Sequence, residues 1–480
     1  MKSTEILAAV LGVSCLAAAA QAGQAPFGAS APSIPVSHAD RVYAAEQFSN
    51  TASVIDPASN ELLGVIRLGD PPPSNFSPLY RGQVLVHGMG FSPDGHTIVV
   101  VSIGSNSVTF IDTKTNAVKA TTYVGRSPHE AFFTPDGKEV WVTVRGENYV
   151  AVLDGQTYNE IGRIQTPNGP GMTIFSPDGK YGYVCSSFVP TFVVFDVRSH
   201  SEVGRVHQPS PFCPNIAASP DGEQVWYTLK DVGKTVVINA RPPFNILKIL
   251  GTGPITNHVN FADNAKGKFA YITVGGLNEV LAFRRSDFEK IATIPVGKLP
   301  HGIWPSGDGT RMYVGLENQD AMDAIDTLEN RVIATVPIGQ APQAVTYVPG
   351  AAEPGKGREN LQPLGLAGET AHLSLGTPGV APATSVSLFD QGLVQVLQAA
   401  VTGLEPKSPY VLALSISPDG SGRLQPLAAF TTNPAGGAIV NADGPIRQLV
   451  SNAGETDRRY MVIAPGQPTK LGTPVQIQMP

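Results

Sequence analysis

Residues 128–167, PHEAFFTPDGKEVWVTVRGENYVAVLDGQTYNEIGRIQTP, read as four short strands. PHEAFF leads into the turn TPDG, followed by EVWVTV, a polar break RGEN, YVAVLD, a second turn GQTYN and finally EIGRIQ. Apolar residues alternate along each run, which is the two-residue period of a strand, and Asp-Gly is a strong hairpin signal. The pattern recurs. Positions equivalent to His129 fall at residues 87, 129, 171, 213, 258, 301 and 343, in steps of 42, 42, 42, 45, 43 and 42. A period of about 40–45 residues with four strands per repeat is the signature of a β-propeller blade.

Six full repeats run from about residue 84 to 339. After them Gln343-Ala-Val-Thr-Tyr-Val opens a further repeat that has no partner strands of its own. The three missing strands stand at the other end, in VYAAEQF, TASVIDP and ELLGVIRL, residues 42–68. Pairing the late strand with the early ones closes a ring of seven blades and leaves only short, protected edges.

The residues also carry a resemblance. Ser-Pro-Asp-Gly recurs at 92–95, 176–179 and 219–222, and the second strands carry Trp141-Val-Thr, Tyr183-Val-Cys, Tyr271-Ile-Thr and Tyr313-Val-Gly. In this the chain resembles the YVTN-repeat β-propellers over residues 41–349. The resemblance implies a seven-bladed fold and export from a bacterial or archaeal cell. Propellers related to that family include binding proteins, lactonases, and enzymes that hold copper or haem on the axis. A shared fold does not select among these activities.

The rest of the chain divides around the propeller. Residues 1–22 hold one lysine, the apolar run ILAAVLGVSCLAAAA and Ala20-Gln21-Ala22. This reads as a secretory signal cut near Ala22, too short for a membrane span, and places the mature protein in the periplasm or outside the cell. Residues 23–40 read as a flexible lead-in, 41–348 as the propeller, 349–360 as a flexible linker and 361–480 as a small antiparallel β-sandwich of seven to nine strands. That last domain has no cysteine or tryptophan, and its one histidine is His372, so it reads as an interaction module. The expected fold class is therefore all-β, a seven-bladed propeller plus a C-terminal sandwich.

Composition agrees. There are 50 glycines and 42 prolines in 480 residues, and only 15% of residues are charged where about 25% is usual, a balance suited to many turns and few surface helices. A net charge of −6 argues against nucleic acid as a partner. A monomer is expected.

Most recurring polar residues read as structure. Asp56, Asp112, Asp154, Asp196 and Asp326 fall just before a turn, as capping groups do. Tyr43, Trp141, Tyr183, Trp226, Tyr271 and Tyr313 share one position of the second strand, where an aromatic packs between neighbouring sheets. Connection 70–83, DPPPSNFSPLYRGQ, is longer than the others and reads as a surface loop or as a lid over the channel mouth.

The opening of the inner strand is different. Round the ring it is Gln343, His87, His129, Gly171, Cys213, His258 and His301, four histidines out of nine in the chain. The second-strand ends bring Arg145, Glu147, Lys230, Asp231, Asn278, Glu317 and Asn318 to the same rim. Cys185 and Cys213, the two cysteines left after signal cleavage, are expected to be bridged in an oxidising compartment, which removes Cys213 as a ligand. No nucleophile elbow, phosphate-binding glycine loop, HExxH or CxxCH occurs. Two functions stay open. One is an exported binding protein that recognises a protein, glycan or small molecule on the rim, through Tyr80, Arg81, Arg145, Lys230, Glu317, Asn318 and Gln343. The other is a metal-dependent enzyme or metal-handling protein with copper or zinc on His87, His129, His258 and His301. A lactonase-like hydrolase is a third reading, against which imidazoles stand where a calcium site wants carboxylates and amides. Histidines that merely hydrogen-bond a neighbouring blade are the structural alternative to all of these.

Overall fold

The computed structural model describes residues 34–69, 84–365, 370–390, 395–446, 449–450, 454 and 457–480. Residues 1–33, which include the segment read as a secretory signal, and connection 70–83, with Tyr80 and Arg81, lie outside the described residues. Seven four-stranded antiparallel sheets form the propeller. Blade 1 opens with Val86–Phe91, blade 2 with Pro128–Phe133 and blade 3 with Pro170–Phe175. Blade 4 opens with Ile216–Ala218, blade 5 with Thr256–Asn264 and blade 6 with Pro300–Pro305. Blade 7 is composite: Pro342–Val348 pairs with Arg41–Glu46, which continues into Thr51–Asp56 and Glu61–Arg67. The ring is closed by strands from both ends of the domain, as the repeat pattern predicts.

Burial follows the alternation of the sequence. Inner strands such as PHEAFF are buried along their whole length, while outer strands such as EIGRIQ bury one face and expose the other. The shared aromatics pack blade against blade: Trp141 meets Phe175 of blade 3 at 5.0 Å and Tyr313 stacks on Tyr347 of blade 7 at 5.8 Å. In the Asp-Gly turns the glycines adopt φ of +67° to +71°, which residues with a Cβ avoid. The turn aspartates accept from the preceding hydroxyl, as Thr134 Oγ1 donates to Asp136 Oδ1 at 2.8 Å. Asp112, Asp154 and Asp196 accept N–H groups two or three residues on, so the capping role read for them is what they perform.

One irregularity of the inner strands positions everything that follows. In blades 1, 2, 5 and 6 the ladder to the second strand slips, between Val86 and Met89, Pro128 and Ala131, Thr256 and Val259, and Pro300 and Ile303. Each slip is a β-bulge, which re-aims the residues it contains. His87, His129, His258 and His301 all sit in these bulges.

The segment expected to be a flexible linker is instead a strap held to the propeller. Ala351 and Ala352 are buried. Arg41 Nη2 donates to Lys356 O, Thr113 Oγ1 to Ala351 O at 3.0 Å, and Asn116 Nδ2 to Gly357 O at 3.1 Å. Gln362 then bridges Val65 on the outer strand of blade 7. Its glycine-rich composition suggested looseness, but side chains from blades 7 and 1 satisfy its carbonyls.

Beyond the strap, nine strands belong to one curled sheet with an interior of Leu375, Leu388, Leu397, Leu412, Met461 and Ile463. Its end strands, Leu424–Thr431 and Ala438–Gly444, follow one another in the chain and pack together, so the sheet is nearly closed. The two layers expected of a sandwich are opposite walls of this one sheet. Among the described residues no helix is long and apolar enough to cross a membrane.

Candidate functional site

Four imidazoles from the inner-strand bulges meet at the axis. His87, His129 and His301 open their bulges, whereas in blade 5 Asn257 takes that position and His258 stands one residue further on, at the place of Glu130, one step off the equivalence expected from the repeats. His87 and His129 have ring centroids 4.3 Å apart, His258 and His301 4.7 Å, and His87 and His301 6.2 Å. All four are buried, and they form an arc across blades 5, 6, 1 and 2. Below them the channel is filled by residues such as Met89, Phe132, Met172 and Trp304, which leave only about 20 Å³.

Carbonyls of the neighbouring blades fix part of the arc. His129 Nδ1 donates to Gly171 O at 2.7 Å and His301 Nδ1 to Gln343 O at 2.7 Å. A carbonyl only accepts, so each ring carries its proton on Nδ1 and keeps a lone pair on Nε2. Among the described residues His87 Nδ1 and His258 Nε2 have no hydrogen-bond partner although both are buried. Burial, helped by the neighbouring imidazoles, Arg145 and Lys230, holds the imidazoles of His87, His129 and His258 well below the usual histidine range. For His301, burial and then Lys230 bring the value to about 3. The arc is therefore neutral, and each ring is able to offer a lone pair.

Glu130 is not marked by the repeat pattern. It follows His129 where blades 1 and 6 carry glycine, Gly88 and Gly302, and an ordinary strand would turn it away from the axis. The bulge of blade 2 keeps it inside. Its carboxylate is buried, accepts the Met89 N–H, and has Oε1 unpartnered. Burial pushes its pKa up to about 8 against the Met89 bond. Glu130 Oε1 lies 3.9 Å from His87 Nδ1 and 4.0 Å from His129 Nδ1. Gly88 permits this approach, since a Cβ there would lie 2.2 Å from His129 O and 2.5 Å from Glu130 Oε2. Among the described residues His87, His129 and Glu130 are the one group whose ligand atoms lie within single-ion distance of one another. That group is narrower than the ring of four histidines considered from sequence.

Above the arc is a cavity of about 480 Å³. Of the rim residues named from sequence, Arg145, Lys230, Asp231, Glu317 and Gln343 line it together with His87, His129 and His301. Asn318 is used elsewhere, in a contact between the two domains, and Glu147 pairs outward with Arg126. Asn278 accepts the Leu299 N–H as a turn cap. Cys185 and Cys213 form a disulfide with Cα atoms 6.0 Å apart, which takes Cys213 out of the ligand set.

The other wall of the cavity is the C-terminal sheet, through Gln398, Asn433, Ile439 and Asn441. Reasoning from a loose linker gave no reason to place these residues over the axis. Phe48 stacks on Phe389 at 4.4 Å, Lys298 Nζ donates to Ser374 Oγ at 2.9 Å, and Ile255 and Leu299 share an apolar cluster with Ala400. Gln343 and Gln398, one from each domain, both donate to the Glu317 carboxylate. Burial raises the Glu317 pKa, against Lys230 and these two amides. Burial lowers Lys230, opposed by Glu317 and Asp231, and burial alone lowers Arg145. The Arg145 guanidinium lies over the rings of Phe212 and Phe188 at 5.6 and 5.8 Å and has no carboxylate partner among the described residues. The cavity thus combines two partly desolvated cations, one of them faced by the Glu317 and Asp231 carboxyls, with neutral imidazoles and amides.

Fold and site together define a seven-bladed β-propeller whose axial face is covered by an added β domain. The chain is similar in structure to a functionally unknown protein from Desulfotomaculum acetoxidans, at 15% identity and a TM-score of 0.53, over 64% of this chain and 98% of that one. It also aligns with hydrazine synthase of Kuenenia stuttgartiensis, at 21% identity and a TM-score of 0.49, over 54% of this chain and 89% of that one. The first supports the fold alone, and the second is too distant to carry an argument. No protein-family profile matches the chain, and no curated protein does either. The likeness to the YVTN-repeat propellers therefore rests on the repeats themselves.

Proposed function

We propose that this chain is an exported propeller binding protein that takes a small anionic molecule into the cavity between the rim and the C-terminal sheet. One observation carries the reading: Arg145 and Lys230 face a cavity of about 480 Å³ that both domains line. Small-molecule sites are usually about 300–1,000 Å³, with a few polar groups placed to orient the ligand. A guanidinium without a carboxylate partner beside an ammonium suits a carboxylate or phosphate, and neutral imidazoles and amides supply further hydrogen bonds. On this reading the C-terminal domain is a wall of the site. A protein or glycan partner would have to enter past it.

The test is a panel of small mono- and dicarboxylates and inorganic phosphate, read by thermal shift and calorimetry. At least one anion should stabilise the protein, with affinity lowered about 10-fold or more by Arg145→Ala or Lys230→Ala, the usual scale for losing a charged hydrogen bond. A panel in which no anion binds, or binding indifferent to both substitutions, would refute it. Export is tested separately, by locating the mature protein and sequencing its N-terminus, expected near residue 23.

A further inference from the structure

We infer that His87, His129 and Glu130 form a site for one first-row divalent metal ion at the floor of the cavity, zinc being the nearest chemical match. One donor atom from each lies within 4.8 Å of the others, and all three residues are buried. Two of the donors are orphans. His87 Nδ1 and Glu130 Oε1 have no hydrogen-bond partner and face each other at 3.9 Å. That separation is too long for a hydrogen bond. It is within the span of two ligands each about 2.1 Å from a shared ion. A buried carboxylate oxygen without a donor is costly unless a cation meets it. Among the described residues no lysine or arginine pairs with Glu130.

The backbone supports the same assignment. Consecutive strand residues ordinarily point to opposite faces, yet the bulge between Pro128 and Ala131 lets both His129 and Glu130 contribute. Thr143 Oγ1 accepts the Glu130 N–H at 3.1 Å and so holds the bulge. The Gly171 carbonyl fixes the His129 tautomer at 2.7 Å, the kind of outer bond that orients metal-binding imidazoles. Two imidazoles and a carboxylate are a zinc donor set that leaves a coordination position open. His87 and His129 also line the cavity, so that position would face it. His258 and His301 belong to the other half of the arc and are not in the group.

The experiment titrates chelator-treated, full-length protein with zinc by calorimetry and reads bound metal by mass spectrometry. We expect about one zinc per chain, with affinity reduced at least about 100-fold in Glu130→Gln and His129→Ala and changed less than about 3-fold in His258→Ala. Glu130→Gln keeps the side-chain shape, and its metal-free melting temperature checks that the fold survives. Cobalt(II) loading gives a second readout: visible absorption of a low-coordinate site in the parent, absent from Glu130→Gln. Failure to take up zinc, equal affinity in parent and Glu130→Gln, or an equal loss in His258→Ala would each overturn the assignment. Arg145 and Lys230 are not ligands, so zinc titration without added anion tests the metal site apart from the anion panel.

Discussion

The Thr143 hydroxyl accepts the Glu130 N–H at 3.1 Å and donates to the Gly171 carbonyl of the next blade at 3.1 Å. Thr273 does the same in blade 5, accepting from His258 N at 2.8 Å and donating to His301 O at 2.7 Å. The threonine of the Trp/Tyr-Val-Thr repeat is thus the clamp of the inner-strand bulge and a link to the neighbouring blade. Thr143→Val should cost about 1–2 kcal/mol, because the buried Glu130 N–H loses its acceptor. Equilibrium urea unfolding reads this directly. The same substitution should weaken zinc binding, which Thr109→Val on an outer hydroxyl pair should not.

Glu46 makes the closing blade sensitive to pH. Its carboxylate is buried and accepts from Thr51 Oγ1 at 2.5 Å and Ser53 N at 3.1 Å. Burial raises its pKa to about 7 despite these bonds. The folded state then holds a proton that the unfolded state has released, so stability falls as pH rises from about 4.5 to about 7 and levels off above, by up to about 3 kcal/mol. Glu130 and Glu317 are shifted in the same direction. Glu46→Gln should narrow, without abolishing, the gap between melting temperatures at pH 5 and pH 8. An unchanged gap would show that Glu46 titrates alike in the folded and unfolded protein.

Asn318 Nδ2 donates to Ser385 Oγ at 3.0 Å and Ser385 O at 3.2 Å, fastening blade 6 to the C-terminal sheet. Asn318→Ala should speed hydrogen exchange in strand Thr384–Asp390 several-fold, with the strands of blade 2 unaffected, since one lost buried bond is worth about 1 kcal/mol. Limited proteolysis of the parent should spare residues 349–362, whose backbone carbonyls are engaged by Arg41, Thr113 and Asn116.

The propeller was legible because its rules are local and repeated. Asp-Gly turns, alternating strands and a fixed step place His87, His129, His258 and His301 on one axis before any contact is known. Glu130 was harder, since strand alternation points it outward and only a bulge brings it in, one that blades 1 and 6 share with glycine at the same place. Gln398, Asn433 and Asn441 had no local signature. They reach the site because the strap and the domain contacts carry them there, and those contacts join residues distant in the chain. The strap itself misled, because a glycine-rich stretch looks the same whether its carbonyls meet water or the side chains of Arg41 and Asn116.

The most direct test is native mass spectrometry of the protein purified from its own cells without added ligand, beside an Arg145→Ala/Lys230→Ala variant. A cavity built by both domains for a small anion should give the parent a bound species of small-molecule mass that acidic denaturation releases. The variant should lack it. A parent that carries no such species and gains none from the anion panel, or a variant that carries the same one, would contradict the account.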